Sequence, residues 1–401
     1  MSDGSAPART GCLDVFVVAG EASGDVLGAG LMRALATLQG GAVSFRGAGG
    51  PSMVAAGLAS RFPIQDLMTI GVGSVIAKFP TILRRLRETV EAIVAAPPDV
   101  LILIDVPDFS LRVAHAVRRR LPDLPIVKYV SPTVWVWRPG RARAMRRSID
   151  LVLAVLPFEP EVHRRLGGPR CIYVGHPLLA DRDILRGSAA DFPAGAAEPL
   201  VLALPGSRRQ EIRRLGPVFG EALEAVARRY RRFDVALVTL PHLADEIAEV
   251  TARWSIRPQI ITDQAGKTAA FRRARAALAA SGTVTLELAL AGIPHVAAYR
   301  ISLIEGLIAR VILRVPTVIL ANLVLGERAV PEFLQTKCTS ANLAAALSEV
   351  LDDTPARRRQ HDAFKRLDAI LGIEDTLPSE RAARAVLGLL AERGHSGMTD
   401  P

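Results

Sequence analysis

Residues 13–30 read LDVFVVAGEASGDVLGAG: an apolar run of strand length, then glycines at 20, 24, 28 and 30 where a strand gives way to a helix. Glycine-bearing strand-to-helix turns are common cradles for phosphates. This one has neither the G-x-G-x-x-G spacing of a dinucleotide fingerprint nor the Lys-Ser/Thr of a P-loop, so the motif alone names no ligand. Its architecture is more informative. The pattern recurs at 199–212, PLVLALPGSRRQEI, again strand, glycine turn and helix. Around these two, DVLILID (99–105), IVKYV (126–130), DLVLAVL (150–156), FDVALVTL (233–240), RAALAAS (275–281) and PHVAAY (294–299) alternate with helical patterns. Continuously apolar strands between amphipathic helices predict parallel sheets covered on both faces. The expected fold class is α/β, two Rossmann-like doubly wound domains with an interdomain cleft at the carboxyl ends of their strands.

A chain of 401 residues is too long for one ordinary core, which also predicts two domains. The small-residue, Pro/Gly-rich stretch RGSAADFPAGAAEP (186–199) is the expected linker, giving domains over 1–185 and 186–375, with 376–401 as a C-terminal helix. The three cysteines (Cys12, Cys171, Cys338) are far apart and in no metal spacing, and read as reduced thiols. MSDGSAPARTG at the N-terminus has no hydrophobic signal core, so a cytoplasmic location is expected. The most apolar long window, ISLIEGLIARVILRVPTVILANLVL (301–325), is interrupted by Glu305, Arg310, Arg314 and Pro316 and reads as no spanning helix.

The net charge is +10 and the pI about 10.2, which points to an anionic partner. Only five of the 50 basic residues are lysines (Lys78, Lys128, Lys267, Lys337, Lys365). No recognisable nucleic-acid module is present and aromatic residues are 5% of the chain, so nucleic acid is not the expected partner. The mean hydropathy of +0.26 and the arginines at 84, 85 and 87, beside an apolar segment, leave an anionic membrane surface as the alternative to a solvated basic face.

Several positions carry candidate chemistry. Asp105 ends an apolar strand, where a carboxylate either faces the site mouth as a general base or caps the following loop. Asp108 follows Pro107 and reads first as a helix cap. Gly206, Ser207 and Arg208 offer backbone N–H groups, a hydroxyl and a guanidinium suited to a diphosphate, unless the turn is merely structural. Ser281, Gly282 and Thr283 form a second such turn, with Glu287 one helical turn beyond Thr283, able to accept hydrogen bonds from ribose hydroxyls. Trp135, Trp137 and Arg138 read either as a sugar or lipid contact or as packing, and His176 as a ligand contact or a turn residue. No metal-ligand set and no cofactor motif stand out.

In order, VAGEASGDVLGAGLMRAL, DVPDF, VSPTVWVWR, LPGSRRQEI, SGTVTLELAL and NLVLGERAVPEFLQ resemble the motifs of the lipid-A-disaccharide synthases, over about Val17 to Gln335. The resemblance implies a GT-B fold and an inverting, metal-independent transfer of 2,3-diacylglucosamine from UDP-2,3-diacylglucosamine to 2,3-diacylglucosamine 1-phosphate. The product would be a β-1,6-linked disaccharide 1-phosphate, made at the cytoplasmic face of the inner membrane by a peripheral enzyme. It further implies that Asp105 is catalytic, that Gly20, Ser23 and Gly24 wall the acceptor side, and that the C-terminal helix returns to the N-terminal domain. On the UDP side it implies Gly206, Ser207, Arg208, Ser281, Gly282, Thr283, Glu287, Tyr299 and Asn322. Two positions depart from the family pattern: Ser74 stands where a glutamate is usual, and Val136 where a small residue separates the tryptophans. A UDP-N-acetylglucosamine 2-epimerase-like enzyme and a non-catalytic binder of UDP-sugar or acyl-phosphosugar are the alternatives.

Overall fold

The computed structural model describes residues 11–67, 72–187, 198–229, 233–301, 317–372 and 376–394. Most of the expected linker (188–197), most of the apolar window (302–316) and the side chains of 72–78, Ser74 and Ile76 among them, lie outside the described residues. The chain divides into two compact units, Met1–Pro177 with Glu374–Pro401, and Leu178–Ile373. The division falls at 177/178, ahead of the 185/186 boundary taken from the linker composition.

The first unit alternates β1 (Leu13–Ala19), α1 (Ala22–Leu38), β2 (Val43–Ala48), α2 (Pro51–Ala55), β3 (Ala59–Ser60), α3 (Val72–Ala95), β4 (Val100–Ile104), α4 (Pro107–Arg120), β5 (Ile126–Tyr129), α5 (Gly140–Met145), β6 (Leu151–Ala154), α6 (Glu159–Arg165) and β7 (Arg170–Tyr173). All its strand pairs are parallel, in the order β3-β2-β1-β4-β5-β6-β7. β4 is buried at all five positions, as its unbroken apolar run requires of a strand covered on both faces. The core packs Phe16, Leu101, Leu103, Phe109, Val113 and Ile126 between sheet and helices.

The second unit continues with α7 (Arg182–Leu185), β8 (Leu200–Leu204), α8 (Arg209–Ala227), β9 (Asp234–Val238), α9 (Ala244–Thr251), β10 (Gln259–Ile261), α10 (Gln264–Arg273), β11 (Ala274–Ala280), α11 (Thr283–Leu290), β12 (His295–Tyr299), α12 (Leu320–Leu325), β13 (Glu332–Leu334), α13 (Ser340–Leu351) and α14 (Pro355–Ile370). Its sheet is also parallel, in the order β10-β9-β8-β11-β12-β13, with separate apolar clusters centred on Phe219 and on Phe271. The chain then returns to the first unit as α15 (Pro378–Glu392), which packs on α1, and whose partners include Arg170 to Glu392 at 2.6 Å.

Each sheet reverses its strand order once, between β1 and β4 in the first and between β8 and β11 in the second. In doubly wound sheets the crevice beyond the carboxyl ends at that reversal is where ligands bind. The loops leaving these four strands carry Gly20–Gly24, Asp105, Gly206–Arg208 and Ser281–Thr283.

Candidate active site

In the first unit, the turn from β4 into α4 is held in an unusual backbone conformation. Asp105 and Val106 both have positive φ (50° and 39°), and Val130, at the end of the adjacent β5, has φ 66°. A left-handed conformation at a β-branched residue costs on the order of 1–3 kcal/mol and survives only where the surroundings over-determine it. They do so here. The Asp105 N–H donates to the Tyr129 carbonyl (3.2 Å), while the Asp105 carbonyl accepts from Lys128 Nζ (2.6 Å) and Ser110 Oγ (3.0 Å). The Val106 carbonyl accepts from the N–H groups of Phe109 (3.1 Å) and Ser110 (2.9 Å), which opens α4.

The glycines of the opening stretch serve this turn. A Cβ on Gly20 would stand 2.3 Å from Val106 Cγ2, and one on Gly24 would stand 3.1 Å from Asp105 Oδ2. The bare backbone of the β1–α1 loop therefore lets the β4–α4 turn approach closely, and Ser23 hydrogen-bonds to the Asp105 carboxylate. Asp25, by contrast, turns away and caps α2, accepting from the N–H groups of Gly50, Ser52 and Met53 at 2.8–3.0 Å. Burial raises the Asp105 pKa, against the lowering effect of the Lys128 charge and the Ser23 hydrogen bond. A half-buried carboxylate of raised pKa at this place is chemically a proton acceptor.

Lys128 is a candidate site residue that sequence reading missed. It is 0% exposed, and its ammonium donates to three carbonyls, those of Asp105, Leu103 (3.4 Å) and Tyr129 (3.3 Å). Burial pushes its pKa down to about 7, with Asp105 and Glu21 supporting the charged form. The signal was present: a lysine inside the apolar strand IVKYV, in a chain with only five.

The VSPTVWVWR loop follows β5. Trp135 packs edge-on against Phe158 (centroids 5.2 Å apart), and its indole N–H donates to Glu159 Oε1 at 3.4 Å. Glu159 is buried, accepts from the Leu156 N–H (3.0 Å), and is pushed up to about 7 by desolvation. Ser131 Oγ lies 2.8 Å from His163 Nε2 in the same buried network. Trp135 is thus a packing residue, whereas Trp137 carries the guanidinium of Arg138 over its ring at 4.3 Å. Asp108 caps nothing; it pairs with Arg141 at 2.6 Å. His176 is buried, and desolvation lowers its pKa to about 4, so it is neutral at pH 7.

In the second unit the candidate loops are open. Gly206 has φ 125°, a conformation costly to any side chain, and a Cβ there would also meet Glu211 Oε2 at 2.5 Å. Glu211 sits in the first turn of α8, accepts from the Ser207 N–H (3.1 Å) and pairs with Arg208 at 3.2 Å. Its position three residues after Arg208 is the spacing of a capping carboxylate, a signal legible in GSRRQEI. The Arg208 side chain is 66% exposed. Ser281 Oγ donates to the Val318 carbonyl (3.2 Å), Gly282 has open space where a Cβ would stand, and Thr283 is exposed at the start of α11. One turn on, Glu287 pairs with Lys267 Nζ at 2.5 Å, another partner not foreseen. Tyr299 is half-buried at the end of β12. Asn322 is 1% exposed and braces its own loop, exchanging hydrogen bonds of 2.8 Å with the backbone of Val330. Among the described residues, no group of three or more His, Cys, Asp or Glu side chains could hold a metal ion.

The family model described as Lipid-A-disaccharide synthetase matches residues 15–386. The chain belongs to the lipid-A-disaccharide synthetase family. It is 53% identical over 396 residues to the lipid-A-disaccharide synthase of Nitrobacter hamburgensis, covering 98% of this chain and all of that one. Among solved structures it is similar to a UDP-N-acetylglucosamine 2-epimerase, so titled as putative, from Listeria monocytogenes (TM-score 0.58, 15% identity, 97% and 98% of the two chains). It is similarly close to CalG4, the calicheamicin glycosyltransferase (TM-score 0.58, 14% identity, 96% and 100%). At such identities the structures establish the GT-B fold, and the family makes the chain a glycosyltransferase of lipid A biosynthesis rather than an epimerase.

Proposed function

We propose that the enzyme transfers 2,3-diacylglucosamine from UDP-2,3-diacylglucosamine to the 6-hydroxyl of 2,3-diacylglucosamine 1-phosphate, with Asp105 as the general base. The observation that carries this reading is the Asp105 carboxylate itself, half-buried at the strand-order reversal on a backbone held by Lys128, Ser110 and Tyr129. Asp105 takes the hydroxyl proton as the acceptor oxygen attacks the anomeric carbon. The bond from that carbon to the diphosphate oxygen breaks on the opposite face, inverting the centre, and its electron pair leaves with UDP. Gly20, Ser23 and Gly24 wall the acceptor side. Arg208 and the N–H groups of Gly206 and Ser207 take the growing diphosphate charge, for which Glu211 must release the Ser207 N–H. Ser281, Gly282, Thr283, Glu287 and Tyr299 line the nucleoside side, and Asn322 shapes the loop behind it. The protein needs no cofactor in this reaction.

Incubation with both acylated sugars tests the reading. A β-1,6-linked disaccharide 1-phosphate and UDP are expected in equal amounts. A changed sugar configuration without a disaccharide, or binding of both substrates without turnover, overturns it.

We further infer attachment to the anionic cytoplasmic face of the inner membrane. No helix of the described residues is long and apolar enough to cross a membrane. Phe79 is 48% exposed on α3, with Arg84 and Arg87 exposed beyond it; Arg84 lies 3.8 Å from Glu88, and Arg85 is committed to Asp66 and Glu88. Each basic group at an anionic surface contributes about 1 kcal/mol, attenuated by salt. Binding to vesicles containing phosphatidylglycerol should weaken with salt and fall in Phe79→Asp; absence of binding at low salt would defeat the inference.

A further inference from the structure

Lys128 is an anomaly that fold and packing do not require. A lysine side chain entirely out of water is expensive unless its ammonium is well partnered. Here the partners are three backbone carbonyls. An apolar side chain of the same length would fill the strand position at lower cost. The closest of the three carbonyls, at 2.6 Å, belongs to Asp105, in the left-handed turn from which the Asp105 carboxylate projects.

We propose that Lys128 is a positioning residue for the reaction: its ammonium clamps the Asp105 carbonyl, fixes the strained β4–α4 turn, and places a buried positive charge behind the Asp105 carboxylate that holds it ionised. This rests on Asp105 being the general base. The charged and titratable groups facing Lys128 are Asp105 from the β4–α4 turn, Glu21 from the β1–α1 loop and Tyr129, its own neighbour on β5. Asp25 is engaged with the α2 N-terminus, Asp108 pairs with Arg141 at the exposed start of α4, and adjacent β6 is apolar. Burial pushes Lys128 down to about 7, so below that pH its ammonium keeps its proton. Its charge then lowers the Asp105 pKa against the burial that raises it, which keeps the base available at lower pH.

The test is the pH profile of kcat/KM in Lys128→Met and Lys128→Arg. In Lys128→Met the acid limb should move to higher pH by about one unit and kcat should fall about tenfold, the shift expected on removing one close opposite charge. Lys128→Arg keeps a charge, so its acid limb should stay near the wild-type position even if its turnover falls. An unmoved acid limb in Lys128→Met, or the same shift in both variants, overturns the proposal. Should Lys128→Met fail to fold, 15N-lysine NMR of Asp105→Asn replaces it: the Lys128 Nζ midpoint, pushed down to about 7 by burial, should move lower still, and an unchanged midpoint overturns the proposal. Failure of the underlying reading is separate. An Asp105→Asn enzyme with near-wild-type turnover removes the base assignment, whereas an inactive Asp105→Asn alongside an unmoved Lys128→Met limb removes only the role of Lys128.

Discussion

The β4–α4 turn and the β8–α8 turn each leave the carboxyl end of a central strand beside the order reversal of its own sheet, on opposite sides of that reversal. Their physics is opposite. In the first, two consecutive non-glycine residues are held left-handed, a carboxylate is half-buried, and a fully buried ammonium fixes the carbonyl beneath it. In the second, a glycine takes the positive φ without strain, Arg208 is mostly in water, and Glu211 meets the loop's own N–H. Strain and buried charge are tolerated where a reacting atom must be placed to within a few tenths of an ångström. An exposed loop satisfied by its own carboxylate suits a ligand that arrives, displaces that carboxylate and leaves. On the proposed function, one turn is organised for chemistry and the other for binding.

The strongest way to break this contrast is Asp105→Asn, which leaves the shape of the turn and removes the proton acceptor. Turnover should fall about 10²–10⁴-fold, with the KM for the UDP-sugar changed little. A rise in KM matching the loss of turnover would move Asp105 to the binding side. Steady-state kinetics with radiolabelled donor separate the two.

Much of this contrast was legible in the sequence, and what was missed has a common cause. Alternating apolar runs gave the two parallel sheets, because period and burial are properties of neighbouring residues. The candidate turns followed from glycines and polar residues at strand ends. What periodicity does not reveal is a partner brought from elsewhere. Lys128 meets Asp105 across 23 positions and Lys267 meets Glu287 across 20, each from a different element. Asp108 reads as a cap from its place after Pro107, yet Arg141, 33 positions on, takes its carboxylate outward. The role of Gly20 and Gly24 likewise becomes visible only once Val106 and Asp105 are seen against them.

A smaller effect sharpens the second half of the comparison. Arg208→Ala removes an exposed side chain whose described partner is Glu211, so the thermal midpoint should hardly change. A lost charged hydrogen bond to a diphosphate is worth about 1.5–3 kcal/mol, so kcat/KM for the donor should fall about 10–150-fold. Product inhibition by UDP should weaken in parallel. Unaltered UDP inhibition would place the diphosphate away from this turn.

The smallest expected effect concerns the pH dependence of stability in the two units. Each buries a histidine lowered to about 4 by desolvation, His176 in the first and His295 in the second, and the first also buries His163, shifted in the same direction. His295 lies 2.9 Å from the Ile293 carbonyl through Nδ1 and stacks on Phe364 at 5.5 Å, so its pocket is shaped for the uncharged ring. Between pH 6.5 and 4 the unfolded chain binds a proton at each site that the folded protein refuses. Stability contributed by these groups is therefore complete above about pH 6.5 and is lost as pH falls towards 4, by up to about 1.4 kcal/mol per pH unit for each histidine. In the first unit Glu159 opposes the trend: its pKa, raised to about 7, makes the folded state the stronger proton binder between 4.5 and 7. Glu159→Gln should consequently steepen the loss of stability of the first unit between pH 7 and 5, and His295→Gln should flatten that of the second. Urea unfolding at pH 5, 6 and 7, read through hydrogen exchange of β4 and β11 peptides, resolves the units separately. Parallel pH dependences for wild type and both variants would mean that these buried groups titrate no differently in the folded and unfolded chains.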